Sequence, residues 1–123
     1  MMFEPLRENR FLVVGRAGLD LYADPPGTEI ENASGFHAAL GGSAANIAVA
    51  IAQQGGTCAL LTAVSDDAVG RYTQKALAGY GVDRAYVKTV GGEARNSLAV
   101  VETRAENCES VIYRNGAADF ELS

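Results

Sequence analysis

An alanine-rich stretch held between two glycine pairs constrains this chain more than any other feature. Gly41-Gly42 leads into Ser43-Ala-Ala-Asn-Ile-Ala-Val-Ala-Ile-Ala-Gln-Gln54, and Gly55-Gly56 closes the run. A cap-type serine opens it and glycine is preferred just past a helix end, so a helix is expected over 43–54. Ile47 and Ile51 share one face while alanine covers most of the rest. Alanine lets a helix approach a sheet closely, so burial on most sides is expected. Thr57 to Val64 follows at once as an apolar, partly β-branched run and reads as a central strand.

The surrounding segments extend the same alternation. Arg10-Phe-Leu-Val-Val-Gly15 reads as a buried strand, which Leu19-Asp-Leu-Tyr22 can prolong. Asp24-Pro-Pro-Gly-Thr28 interrupts regular structure, because two prolines remove donors and fix φ. Glu29 to Leu40 has room for a short strand before the glycine turn. Ser65-Asp-Asp67 offers acidic side chains to the free N–H groups of a second helix. In that helix Val69, Thr73, Ala76, Leu77 and Tyr80 recur at helical spacing, with Gly79 or Gly81 as its end. Strand, helix, strand, helix is the pattern of an α/β domain with parallel pairing. The tail differs: Asn96 to Thr103 and Glu109 to Arg114 are extended runs joined by Arg104 to Cys108, the pattern of a β-hairpin. Leu98 and Val100 alternate with Ala99 and Val101, as in a strand covered on both faces or lying over a ligand.

Composition removes several classes of function. The 123 residues are 48% hydrophobic and 20% charged, which fits one modest globular domain. Net charge is −5, and the ten cations are scattered among acids, so no nucleic-acid partner is expected. Phe36 to Ala63 is nearly uncharged, but Gly41-Gly42, Asn46 and Gln53-Gln54 break it, so no membrane span is expected. Residues 1–10 show no apolar core of a signal peptide, and a cytoplasmic setting is the expectation. Cys58 and Cys108 stand alone and read as small buried hydrophobes in place of a disulfide or metal pair. His37 is the sole histidine, which supports neither a metal site nor a His-based triad.

Three places can carry chemistry. Gly41-Gly42 runs into a helix N-terminus, where free N–H groups and the dipole favour a polar or anionic ligand. The bland alternative is a tight turn with Asn46 bonding locally, and on the residues alone the two stand together. No cation lies between Gly41 and Ile47, so the segment is not a phosphate-binding P-loop. Gly15-Arg-Ala-Gly18 has one spacing of the dinucleotide fingerprint, but Asp24-Pro-Pro-Gly stands where its helix should follow. Asp20 sits after the first strand, where a carboxylate can accept two hydroxyl hydrogens of a polyol; a turn-forming role is the alternative. Asp66-Asp67 reads better as a cap than as a metal pair.

Taken in order, Gly15-Arg-Ala-Gly-Leu-Asp20, Gly41-Gly42-Ser-Ala-Ala-Asn46 and Val64-Ser-Asp-Asp-Ala-Val-Gly70 resemble the N-terminal half of the ribokinase (PfkB) carbohydrate kinases. The resemblance spans nearly the whole chain. It implies an α/β fold, the N-terminal portion of a ribokinase-like doubly wound sheet over 1–123, with a small β-sheet lid near 16–40 and 96–116. It further implies that Asp20 and Asn46 hold sugar hydroxyls, while Gly41 and Gly42 let the backbone approach the substrate. Ribokinase itself carries a lysine and a glycine after the glycine pair; Ser43-Ala44 here turns the expectation away from ribose. Val90 to Thr103 and Ser110 to Asp119 resemble members of the family that act on keto-sugar acids. In that light Arg114, next to Tyr113, is the expected partner of a carboxylate through its two-pronged donor geometry. A solvated strand residue is the alternative for Arg114, and Arg16 and Asn96 are weaker candidates.

The family's catalytic aspartate lies in a C-terminal GAGD-type motif. No Gly-Ala-Gly-Asp occurs here, and Asn115-Gly-Ala-Ala-Asp119 corresponds to a lid feature. The resemblance therefore implies an acceptor-binding part without its C-terminal nucleotide-binding part. ATP and Mg²⁺ belong to the complete enzyme, this chain alone is expected to bind neither, and by itself it is expected to be inactive. A homodimer through the lid is a further expectation, carried by Leu98, Val100, Val111 and Ile112. Rival readings are a non-enzymatic sugar-binding or dimerising module, a kinase for a neutral ribose- or fructose-like sugar, and an unrelated nucleotide-binding α/β domain.

Overall fold

The computed structural model describes residues 9–104 and 106–120; residues 1–8 of the opening segment read above for a leader peptide lie outside the described residues. In chain order the elements are β1 (Phe11–Val14), β2 (Gly18–Asp24), a 3-10 turn (Ile30–Asn32), β3 (Gly35–Gly41), α1 (Ser43–Gln53) and β4 (Cys58–Ser65). Then follow α2 (Ala68–Gly79), β5 (Val87–Val90), β6 (Ser97–Val101), β7 (Ser110–Tyr113) and a second 3-10 turn (Ala118–Phe120).

Two sheets result. The first is parallel, in the order β1-β4-β5, with α1 and α2 as its crossovers. The alanine spacing of α1 works as packing: Ala44, Ala45 and Ala48 form a buried stripe with Cys58, Leu60 and Leu77. Full burial is confined to that stripe, with Val49, Ile51 and Ala52 partly buried beside it, which corrects the expectation of a helix enclosed on most sides. Ile47 lies off it and is 53% exposed. The cap also differs. Gly42 occupies the N-cap position and no side chain caps α1, so Ser43 does not play that part. The carbonyl of Arg16 instead accepts the Ala45 amide at 3.2 Å.

The second helix follows the expected capping chemistry. Asp67 Oδ1 accepts the Gly70 amide at 2.9 Å and the Ser65 hydroxyl at 2.6 Å. These bonds, Ser65's first, hold the Asp67 carboxyl below its ordinary value. Thr73 and Leu77 are the buried positions of the helical stripe.

The second sheet has the order β3-β2-β6-β7. Antiparallel β6 and β7 form the anticipated hairpin, β2 pairs antiparallel with β3, and β2 and β6 run parallel. Leu19 to Tyr22 therefore does not prolong β1. The chain leaves the first sheet at Gly15, where φ is 150°, and begins a new sheet at Gly18. Strand β5, with a half-polar Val-Lys-Thr-Val sequence, gives no clear apolar signal and is found only in the structure.

Glu102 ties the far end of this second sheet. Its side chain is buried and accepts the Ile30 amide (3.0 Å), the Glu109 amide (3.1 Å) and two bonds from Arg104 (2.9 and 2.7 Å). The Ile30 amide leads the effects that keep the Glu102 carboxyl below its ordinary 4.5. Cys58 is buried as expected, and burial pushes its thiol upward. Cys108 is exposed, contrary to expectation, and its Sγ donates to the Glu102 carbonyl at 2.9 Å; both cysteines are free. Among the described residues no helix is long and apolar enough to cross a membrane.

Candidate functional site

Strand register assembles the site. Pairing sets Ala39, Asp20, Ala99 and Ile112 in one row across the four strands of the second sheet. Gly41, Gly18 and Ser97 form the next row on the same face, because side chains two residues apart in a strand share a face. His37, Tyr22, Val101 and Ser110 form the row on the other side of Asp20. Asp20 thus stands in the middle of one face, flanked by two alanines.

Tyr22 is its nearest polar partner, the hydroxyl donating to Asp20 Oδ2 at 3.2 Å. Burial first, then the Asp20 charge and this bond, push the phenol above its ordinary 10.0. Tyr22 therefore stays a protonated donor, and Asp20 keeps Oδ1 for other donors. Sequence reasoning missed Tyr22, although its place two residues along the strand from Asp20 is a usable signal.

The glycine pair has two separate reasons. The Asp20 carboxylate occupies the volume that a Cβ on Gly41 would need. Gly42 adopts φ 93°, and a Cβ there would strike the Arg16 carbonyl. Gly41 and Gly42 consequently seat the carboxylate and bring the start of α1 against the backbone of Arg16. Arg16, Gly18, Asp20, Gly42, Ser97 and Ile112 line a narrow cleft here, with a volume of about 10 Å³.

Arg114 lies one residue beyond β7, at the Ser97 end of the face. Its Nε donates to Asp119 Oδ1 at 3.3 Å, and its guanidinium sits 4.1 Å from the Phe120 ring centroid. The other Asp119 oxygen accepts the Ser97 hydroxyl at 2.5 Å. Arg114 is 34% exposed while the Asp119 side chain is fully buried, so this arginine is a paired, half-buried group and not a solvated strand residue. Ser97 and Asp119 also escaped sequence reasoning; only the pairing of distant strands joins them.

The remaining candidates separate. Asn46 is exposed on the first turn of α1, where its backbone amide donates to the Gly42 carbonyl at 3.0 Å, and its side chain is not among those that line the cleft. Asn96 is structural: its Nδ2 donates to Thr73 Oγ1 at 2.9 Å and its Oδ1 accepts the Ser65 amide at 3.4 Å, inside the protein. Among the described residues no group of three or more His, Cys, Asp or Glu side chains is placed to hold a metal ion.

A carboxylate centred on a small open sheet, facing a glycine turn at a helix start, is an arrangement suited to a polar, hydroxyl-rich ligand. Comparison with known proteins gives it a family. The pfkB family carbohydrate kinase description matches residues 8–123, and the chain belongs to that family. Among its relatives, the 5-dehydro-2-deoxygluconokinase of Photobacterium profundum is 41% identical over 111 residues, covering 90% of this chain and 34% of the relative. Fructokinase-1 of Oryza sativa is 36% identical over 110 residues, covering 89% and 34% respectively. The crystal structure of 2-dehydro-3-deoxygluconokinase from Thermotoga maritima superposes with a TM-score of 0.83 at 25% identity, covering 92% of this chain and 34% of that one. Fructokinase of Xylella fastidiosa with bound ATP superposes with a TM-score of 0.76 at 28% identity, covering 90% and 35%. The fold is thus ribokinase-like, and the chain spans about a third of the length of the curated relatives it matches.

Proposed function

We propose that this chain forms the acceptor-binding part and the lid of an ATP-dependent sugar kinase that phosphorylates a keto-sugar acid such as 5-dehydro-2-deoxy-gluconate. The observation that carries the reading is Asp20, a carboxylate at the centre of the open sheet, held by Tyr22 at one oxygen and seated over Gly41. An ionised carboxylate accepts two sugar hydroxyls with charge-assisted bonds. Gly42 lets the substrate approach the backbone, and Asn46 offers an exposed amide on the turn that follows. The cleft is too narrow to enclose a sugar, so the substrate engages its mouth. Arg114 pairs with the acid group, its fork of donors matching a carboxylate.

ATP and Mg²⁺ are assigned to the part of the kinase beyond this segment, which supplies the base for the acceptor hydroxyl. This chain contributes binding, orientation and cover to an in-line transfer. The free edge of the lid, β7, exposes Val111, Ile112 and Tyr113 and is assigned to a homodimer contact.

A second reading, a kinase for a neutral fructose-like sugar, is favoured by the fructokinase relatives and by the existing partner of Arg114. Steady-state kinetics of the full-length protein with ATP decides between them. The account expects a higher kcat/KM for 5-dehydro-2-deoxy-gluconate than for fructose. The reverse order establishes the neutral-sugar reading, and no turnover of either defeats both.

A further inference from the structure

We propose that Asp119 is a positioning residue of the acceptor site, fixing the Arg114 guanidinium for the carboxylate of a sugar acid. The inference rests on the reading of Arg114 given above. Asp119 is buried, and both of its carboxyl oxygens are engaged, Oδ1 by Arg114 Nε and Oδ2 by the Ser97 hydroxyl. Its own turn is anchored in the core. Ala117 and Ala118 are buried, the Ala118 amide donates to the Arg95 carbonyl at 2.7 Å, and the turn packs on β4.

Arg114 is thereby held at several points. Asp119 takes Nε, Phe120 lies against the face of the guanidinium, and the Arg114 carbonyl accepts the Ala117 amide at 3.1 Å. Among the described residues the two terminal nitrogens, Nη1 and Nη2, have no hydrogen-bond partner. A guanidinium gripped at Nε and on its face presents those two nitrogens in one plane, the geometry of a two-pronged carboxylate contact. Ser97 shares a row with Gly18 and Gly41, next to the row of Asp20. One short relay, Ser97 to Asp119 to Arg114, therefore sets the acid-binding group relative to the hydroxyl-binding one. A neutral sugar makes no use of the relay, so its effect is one of specificity.

The test uses the full-length kinase and titration calorimetry with 5-dehydro-2-deoxy-gluconate and with its carboxamide, which has the same shape without the charge. Asp119→Asn should weaken the acid about tenfold and change the carboxamide by less than about twofold. Ser97→Ala should act in the same direction and more weakly, and it decides the matter should Asp119→Asn not fold. Arg114→Ala is the reference: it should abolish the preference for acid over carboxamide. An unaltered preference in Arg114→Ala defeats the carboxylate reading itself, and the proposal with it. Loss of preference in Arg114→Ala, with acid affinity unchanged or raised in Asp119→Asn or, should that variant not fold, in Ser97→Ala, overturns the positioning role and leaves the reading standing. Equal weakening of acid and carboxamide in the deciding variant also overturns it, since that is the behaviour of a purely structural residue.

Discussion

At the scale of single residues, the candidate site depends on pairs in which one member is small so that the other has room. Gly41 lacks a side chain where the Asp20 carboxylate lies, and Ala39 and Ala99 flank the same aspartate across the sheet. Asp20, Gly41 and Gly42 were legible in the sequence because a carboxylate after a strand and a glycine pair before a helix are local signals. Ser97 and Asp119 were not, since each gains its meaning from a partner fixed by strand register or a distant turn, whereas Tyr22 stands two residues along its own strand from Asp20 and was a local signal that went unread. Thr62 shows the opposite case, a polar group with no evident task. It is fully buried in β4, and among the described residues its Oγ1 has no hydrogen-bond partner. Thr62→Val keeps the shape and removes the unsatisfied hydroxyl, so it should raise the stability of the full-length protein by about 1 kcal/mol. Chemical denaturation checks this; a lower midpoint would reveal a partner for the hydroxyl.

At the scale of elements, local rules predicted what exists better than where it goes. The α2 cap at Asp67 and the β6–β7 hairpin follow from sequence-local chemistry. Leu19 to Tyr22 is a strand as its pattern says, but only the break at Gly15 and the partners β3 and β6 assign it to another sheet. For α1 the alanines marked a packing face, and nothing local showed that a carbonyl of Arg16 would stand in for the serine cap.

The Glu102 knot is an element-scale device with a pH signature. Its carboxyl titrates below the ordinary glutamate value of 4.5, so its contribution is complete above about that pH and is lost as pH falls through the lower folded value. Hydrogen-exchange protection of the Ile30 and Glu109 amides should therefore be flat near neutrality and fall in acid below 4.5. Glu102→Gln should remove most of that pH dependence. Protection that holds unchanged well into the acid range would show that the carboxylate is not what ties these amides.

At the scale of the whole molecule, the two sheets divide the work. The parallel sheet and its helices hold the core, while the four-stranded sheet carries Asp20 and the Ser97 row in a more open setting. Phe11 and Leu12 are each 45% exposed and Val14 is 57% exposed on β1, an edge strand of the parallel sheet. An apolar parallel edge of this kind is unusual in a free-standing domain. It accords with a segment spanning about a third of the length of its curated relatives. The family was legible because three motifs occur in order along the chain. The setting of Arg114 was less so, because it depends on a turn that packs back onto β4.

The central claim is that the Asp20 face binds the acceptor sugar, and one calorimetric comparison tests it most directly. The full-length protein and its Asp20→Asn variant are titrated with 5-dehydro-2-deoxy-gluconate. Asparagine keeps the shape above Gly41 but removes the charge and one acceptor. The account predicts a loss of roughly a hundredfold in affinity, the worth of one or two hydrogen bonds to a charged acceptor, with the fold retained. An Asp20→Asn protein that folds and binds the sugar acid as tightly as the parent would contradict it.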